Sequence, residues 1–166
     1  VRRFTFILLT VGLLTSLTVA PVAARQPRST VVDTAVAVNS SSGEFDHLIA
    51  AVVRTSLLDT LDGQRQFTVF APTDAAFEAL FAKLGVRGVD EIPIDTLRSV
   101  LLYHVASGER FSASVLDSSR IRTLSKAFIH PSLRAGTPYV NDARIVAADI
   151  DVSNGVIHVI DAVLLP

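Results

Sequence analysis

Asn154-Gly155-Val156-Ile157-His158-Val159-Ile160-Asp161-Ala162-Val163-Leu164-Leu165-Pro166 closes the chain, and its reading decides the fold. Asn-Gly is a strong hairpin signal, because both residues tolerate the positive φ angles of a two-residue turn. From Val156 to Leu165 apolar residues fall on both faces of an extended chain, interrupted only by His158 and Asp161. A half-exposed strand would alternate, whereas a strand apolar on both sides belongs inside a sheet covered on both faces. The turn must join it to a partner, and Arg144 to Val152 predicts that strand. There Val146, Ala148, Ile150 and Val152 fall on one face, with Asp149 and Asp151 on the other. Asn141-Asp142 suits a second tight hairpin, back to Tyr139-Val140, and Ser125 to His130 adds another extended segment.

Upstream the periodicity changes. Phe67-Thr68-Val69-Phe70 is short, aromatic and β-branched, which predicts a strand, and Ala71-Pro72 stops it. Thr73 or Asp74 then caps a helix that carries Phe77, Leu80, Phe81 and Leu84 on one face and ends at Gly85 and Gly88. Asp95 or Thr96 caps the next, which runs through Leu97, Val100, Leu101, Leu102 and Val105 and stops near Ser107-Gly108. Its second half is apolar nearly all round, so it is expected to be buried. Closer to the start, Phe45, Leu48, Ile49, Val52, Val53 and Leu57 repeat at helical spacing as far as a turn at Asp62-Gly63. Val31 to Val38 predicts one or two helical turns ahead of Asn39-Ser40-Ser41-Ser42-Gly43. The class is α+β, with helices first and sheet second.

Val1-Arg2-Arg3, an uncharged run from Phe4 to Ala20 and the small-residue exit Pro21-Val22-Ala23-Ala24 form a secretory pattern. It predicts a signal peptide over 1–24, a short polar and flexible lead over 25–30, and a domain over 31–166. Thr5, Thr10, Gly12, Thr15, Ser16 and Thr18 dilute the run, which argues against a retained membrane anchor. Lys and Arg number 15 against 16 Asp and Glu; without Arg2 and Arg3 the basic count is 13. Signs are interspersed and no basic run exceeds a pair, so no surface tracks phosphates and nucleic acid is not an expected partner. With no cysteine, the fold rests on its core alone, without disulfides. Arginine far outnumbers lysine, a compositional hint of a GC-rich bacterial genome.

Catalytic signatures are missing: there is no Gly-x-Ser-x-Gly elbow, no Walker loop and no His-Glu-x-x-His. Asp149-x-Asp151-x-Ser153 begins like a calcium loop, but Asn154 stands where glycine is needed and Ile160 where a chelating glutamate is needed. The histidines, His47, His104, His130 and His158, form no local pair at ligand spacing. No enzyme, metal or cofactor is therefore expected. His104, beside Tyr103 in the buried helix, and His158, inside the last strand, each need a partner for both ring nitrogens. Thr73 or Asp74 with Tyr103 and His104 is expected to form one internal polar cluster, and Asp161 to anchor the last strand.

Three segments, read together, resemble the fasciclin domain family. Phe67-Thr68-Val69-Phe70-Ala71-Pro72-Thr73-Asp74-Ala75-Ala76-Phe77 is similar to its first signature box. Leu102-Tyr103-His104-Val105 is similar to its Tyr-His motif, and residues 154–166 to its second box. The resemblance spans about residue 30 to the end. It implies a fasciclin-type β-sandwich or wedge with a layer of N-terminal and central helices. It also implies a secreted or periplasmic module for adhesion to a protein or polysaccharide at the cell surface. One copy gives one weak contact, so homo-oligomers are part of that expectation; stable membrane insertion after signal cleavage is not. The family associates the Tyr-His region with adhesion, which points to Tyr103 and His104 with Leu101 and Leu102, although the helical pattern buries them. Thr73, Asp74, Tyr103, His104, Asn154, His158 and Asp161 are thus candidates for interaction or for structure. The resemblance also implies an alternative, a carrier of an apolar small molecule such as a carotenoid or lipid, for which aliphatic and aromatic residues are present to line a cleft.

Overall fold

A computed structural model describes residues 30–61 and 65–166. The expected signal peptide, most of the polar lead and the Asp62-Gly63 turn lie outside the described residues.

Thr30 and Asp33 close a reciprocal capping box at the start of α1 (Val31–Ser42), which runs three turns rather than the one or two expected and ends at Gly43. The long amphipathic stripe is broken in two. Helix α2 (Asp46–Arg54) stops where the Thr55 hydroxyl bonds back to the Ala51 carbonyl and Ser56 turns left-handed; α3 (Leu58–Leu61) then resumes. Such back-bonding competes with helix continuation, and the break lets Leu57 and Leu61 reach the core. Next come β1 (Phe67–Pro72), α4 (Asp74–Leu84), a 3-10 turn (Val89–Glu91) and α5 (Ile94–Tyr103). Helix α5 enters from Pro93, slightly before the expected Asp95 or Thr96 cap, and ends early enough for Val105–Ser107 to become strand β2. The remainder is α6 (Ser112–Asp117) and strands β3 (Ile121–Arg122), β4 (Phe128–Ile129), β5 (Pro131–Arg134), β6 (Thr137–Val140), β7 (Ala143–Val152) and β8 (Gly155–Ile160).

Six strands form one sheet in the order β2-β1-β8-β7-β6-β5, and β3 pairs with β4. As its two-sided apolar pattern requires, β8 is central. It runs parallel to β1, from Phe67 opposite Gly155 to Pro72 opposite Ile160, and antiparallel to β7. It ends at Ile160, so the segment from Asp161 to Leu165 leaves the sheet. The hairpin before it turns one residue earlier than Asn154-Gly155: Val152 pairs with Gly155, leaving Ser153-Asn154 as the loop. Gly155 is instead the point of closest approach to β1. A Cβ there would lie 1.8 Å from the Phe67 carbonyl oxygen, at φ 150°.

Strand β7 departs from simple alternation. Two one-residue shifts, between Ile145 and Ala147 and between Ala147 and Ile150, change its register against β8. Asp149 takes φ 62° within the second. Ala143, Ile145 and Val152 are buried and Ile150 is half-buried, whereas Val146 and Ala148, expected inward, are exposed.

The sheet separates two cores. Phe67, Val69 and Ala71 of β1 with Ile157 and Val159 of β8 meet α2, α4 and α5 on one side. Phe70 and Ile160 meet Val115 of α6, Ile121, Ile129 and Val140 on the other. Phe70 and Phe77 are almost wholly buried, each worth about 1.5–3 kcal/mol relative to exposure.

Candidate functional site

Burying a polar group without a partner is costly, so the partners of the motif side chains reveal what they do. Thr73 follows β1, where its N–H reaches the Ile160 carbonyl, and its hydroxyl accepts from Ala76 N–H to cap α4. Asp74 turns away from α4. Its carboxylate accepts from the backbone N–H of Asp46 and His47, at 3.1 and 2.9 Å, and so caps α2 from 28 residues away. The single cluster expected to join Thr73 or Asp74 to Tyr103 and His104 does not form; each pair serves a different junction.

Tyr103 and His104 are 5% and 2% exposed, so neither offers a contact surface. The Tyr103 hydroxyl donates to the Phe128 carbonyl at 2.9 Å and accepts from Asn141 Nδ2 at 3.1 Å, locking α5 to β4 and to the β6–β7 turn. His104 Nδ1 lies 2.8 Å from the Val100 carbonyl, and its Nε2 accepts from Leu164 N–H at 2.9 Å. Only the neutral ring with its proton on Nδ1 satisfies both bonds. Burial lowers the His104 pKa to about 4, outweighing the opposite pull of the Val100 carbonyl.

A second chain of bonds crosses the sheet's far side. The Thr68 hydroxyl donates to Gly108 O and accepts from Arg110 N–H. Arg110 O faces His158 Nε2 at 2.9 Å, and His158 Nδ1 accepts from Asp149 N–H at 3.3 Å. The Asp149 carboxylate accepts both the N–H and the hydroxyl of Ser112 at 2.6 Å. His158 also stacks on Phe70, with ring centroids 5.5 Å apart. Burial pulls the His158 pKa below its ordinary value, against the raising effects of the Arg110 carbonyl and Asp149. For Asp149, slight burial pushes upward, but the two Ser112 bonds and nearby His158 leave its pKa below the usual value. The left-handed Asp149 therefore belongs to a staple holding the loop before α6, not to a calcium loop.

Asn154 donates to the Leu61 carbonyl at 2.7 Å inside the protein, tying the β7–β8 turn to α3. Asp161 accepts from Arg144 N–H and pairs with the Arg144 side chain at 3.3 Å, clamping the end of β8 to the start of β7. Thr68, Arg110, Ser112, Asn141 and Asp149 are partners that sequence reading missed, because most of their bonds span long stretches of chain and none leaves a local pattern. Among the described residues, no group of three or more His, Cys, Asp or Glu side chains converges as a metal would require.

The sheet's other side holds a different feature. A cavity of about 240 Å³ lies between α1, α2 and α3 and the strands β1, β7 and β8. Among the described residues around it, Thr34 is the only one that is not Ala, Val, Ile, Leu or Phe. No helix among the described residues is long and apolar enough to cross a membrane.

Comparison with known proteins adds four findings. The sequence model of the fasciclin domain matches residues 43–166. The protein sll1483 of Synechocystis sp. is 38% identical over 133 residues, covering 80% of this chain and 73% of that one. The cell surface glycolipoprotein MPB83 of Mycobacterium bovis is 36% identical over 113 residues, covering 67% of this chain and 48% of that one. In structure, the chain is similar to a FAS1 domain pair from the insect cell adhesion molecule Fasciclin I. The TM-score is 0.69 at 22% identity, over 84% of this chain and 52% of that one.

Proposed function

The chain belongs to the fasciclin domain family, and on that premise we propose that it is an exported, non-enzymatic interaction module with a single domain over 31–166. Its signal peptide over 1–24 is removed, and the domain binds a protein or polysaccharide at the cell surface. The observation that carries this reading is the open end of the sheet. Among the described residues, strand β5 pairs on one side only, with β6, and Leu133 on it is 61% exposed. An unpaired edge with an apolar side chain invites strand addition or face contact by a partner. The name of MPB83 places that relative at the cell surface, in keeping with the leader pattern here.

Retention on cell-envelope fragments tests the reading, with protease-treated and glycan-stripped fragments separating protein from polysaccharide. The protein should be retained, and Leu133→Asp should weaken retention at least about tenfold, as loss of a central apolar anchor does. Equal retention of the variant would remove the edge from the interface. A second reading, transport of an apolar small molecule, is favoured by the cavity beneath α1 and α2.

A further inference from the structure

The cavity floor is made by Val69, Ala71, Ile157 and Val159, and its roof by the three N-terminal helices. Two roof residues, Val36 on α1 and Val53 on α2, are 46% and 55% exposed, so the mouth opens between those helices. Such a lining offers no array of donors and acceptors, so a ligand that must hydrogen-bond along its length would lose its water without compensation. A hydrocarbon tail loses nothing. Volume sets its length. An apolar cavity of ~150 Å³ stays dry and accepts benzene, which has six carbons. On that scale the 240 Å³ here holds roughly eight to ten carbons.

Building on the carrier reading, we infer that this cavity takes one unbranched hydrocarbon chain of roughly eight to ten carbons. The tail lies against β1 and β8, and the polar head stays at the mouth between Val36 and Val53. Most of a carotenoid's much longer polyene would be left in water, so the cavity selects acyl or alkyl chains over it. Helix α1 forms a wall of the site although it precedes residues 43–166, the part that matches the family's sequence model.

Titration calorimetry of the purified protein with straight-chain fatty acids of about six to sixteen carbons, kept below micelle formation, tests this. β-Carotene, followed by absorbance after gel filtration, is the second arm. One chain should bind per protein, with affinity rising about fourfold per methylene up to eight to ten carbons and then levelling. Ala35→Phe, which fills the roof from α1, should abolish binding. Val52→Phe repeats that test from α2, and thermal melting establishes that each variant is folded. Affinity climbing at the same slope to the longest chain, or β-carotene bound in preference while both filled variants still bind, would overturn the inference and leave the carrier reading standing. A folded protein that binds neither fatty acid nor β-carotene would overturn both.

Discussion

On one side of β8, Ile160 shares a core with Val115 of α6 and the small β3–β4 pair, and His158 bonds to Arg110; on the other, Ile157 and Val159 meet the N-terminal helices. The first side carries Thr68, His158 and the Tyr-His motif, each matched to a partner, whereas Asp74 and Asn154 bond to the helices of the second. The second is apolar and incompletely filled. A satisfied buried network fixes one arrangement, because a shifted partner strands a donor or acceptor. An apolar surface has no such orientation to keep, so it can accommodate unfilled space. The difference suggests a division of labour: the polar side specifies the fold, and the apolar side is free to be used.

The largest expected effect falls where the two sides share backbone. Gly155→Ala places a methyl group into the Phe67 carbonyl, which side-chain movement cannot relieve because both partners are main chain. A loss of about 3 kcal/mol or more is expected in urea unfolding. A loss under about 1 kcal/mol would mean that β1 and β8 can slide apart, and that the sheet is a softer partition than its register indicates.

His104 isolates the polar side. Because the native state holds its ring neutral, with a pKa of about 4, its contribution is fully present above its unfolded value near 6.5. That contribution is lost as pH falls from 6.5 toward 4, up to about 3 kcal/mol. His158, also lowered, acts in the same direction. Carboxylates titrate in the same window, so the informative measurement compares the protein with His104→Gln. Between about pH 7 and about pH 4 the variant should lose about 3 kcal/mol less. Parallel acid profiles would show that the Leu164 bond to Nε2 survives protonation, contrary to the donor geometry.

Much of this partition could be read from the chain, and the failures have physical causes. The two-sided apolar pattern of Val156 to Leu165 places β8 centrally, although the strand ends at Ile160, and the position before an apolar stripe narrows the cap of α4 to Thr73 or Asp74, of which Thr73 serves. Periodicity has no means of showing that β1 lies parallel to a strand nearly ninety residues away, nor that Asp74 caps α2 rather than its own helix. The shifts in β7 defeated strict alternation because a bulge resets which residues face inward, and nothing local marks Asp149 as left-handed. Burial of Tyr103 and His104 followed from the helix pattern, but their partners, Asn141, Phe128 and Leu164, did not. The cavity was legible only as composition: apolar residues at helical spacing are the same whether they fill a core or surround a space.

The smallest expected effect is the sharpest comparison, because it uses one residue type on one strand. Val156 and Val159 are three positions apart on β8 and project to opposite sides; both are buried, at 0% and 6% exposure. Val156→Ala removes two methyl groups from a closely packed environment and leaves a new void. Val159 already borders the cavity, so its methyl groups have fewer neighbours to lose. Dispersion depends on atoms in contact, so Val156→Ala should cost about 1 kcal/mol more than Val159→Ala in urea unfolding. Val159→Ala should also enlarge the cavity by about two methyl groups, so the fatty-acid length at which affinity levels should increase while that of Val156→Ala stays fixed. Equal stability costs with no change in chain-length preference would mean the space beside Val159 closes in solution, and the two sides of the sheet would then differ in polarity alone.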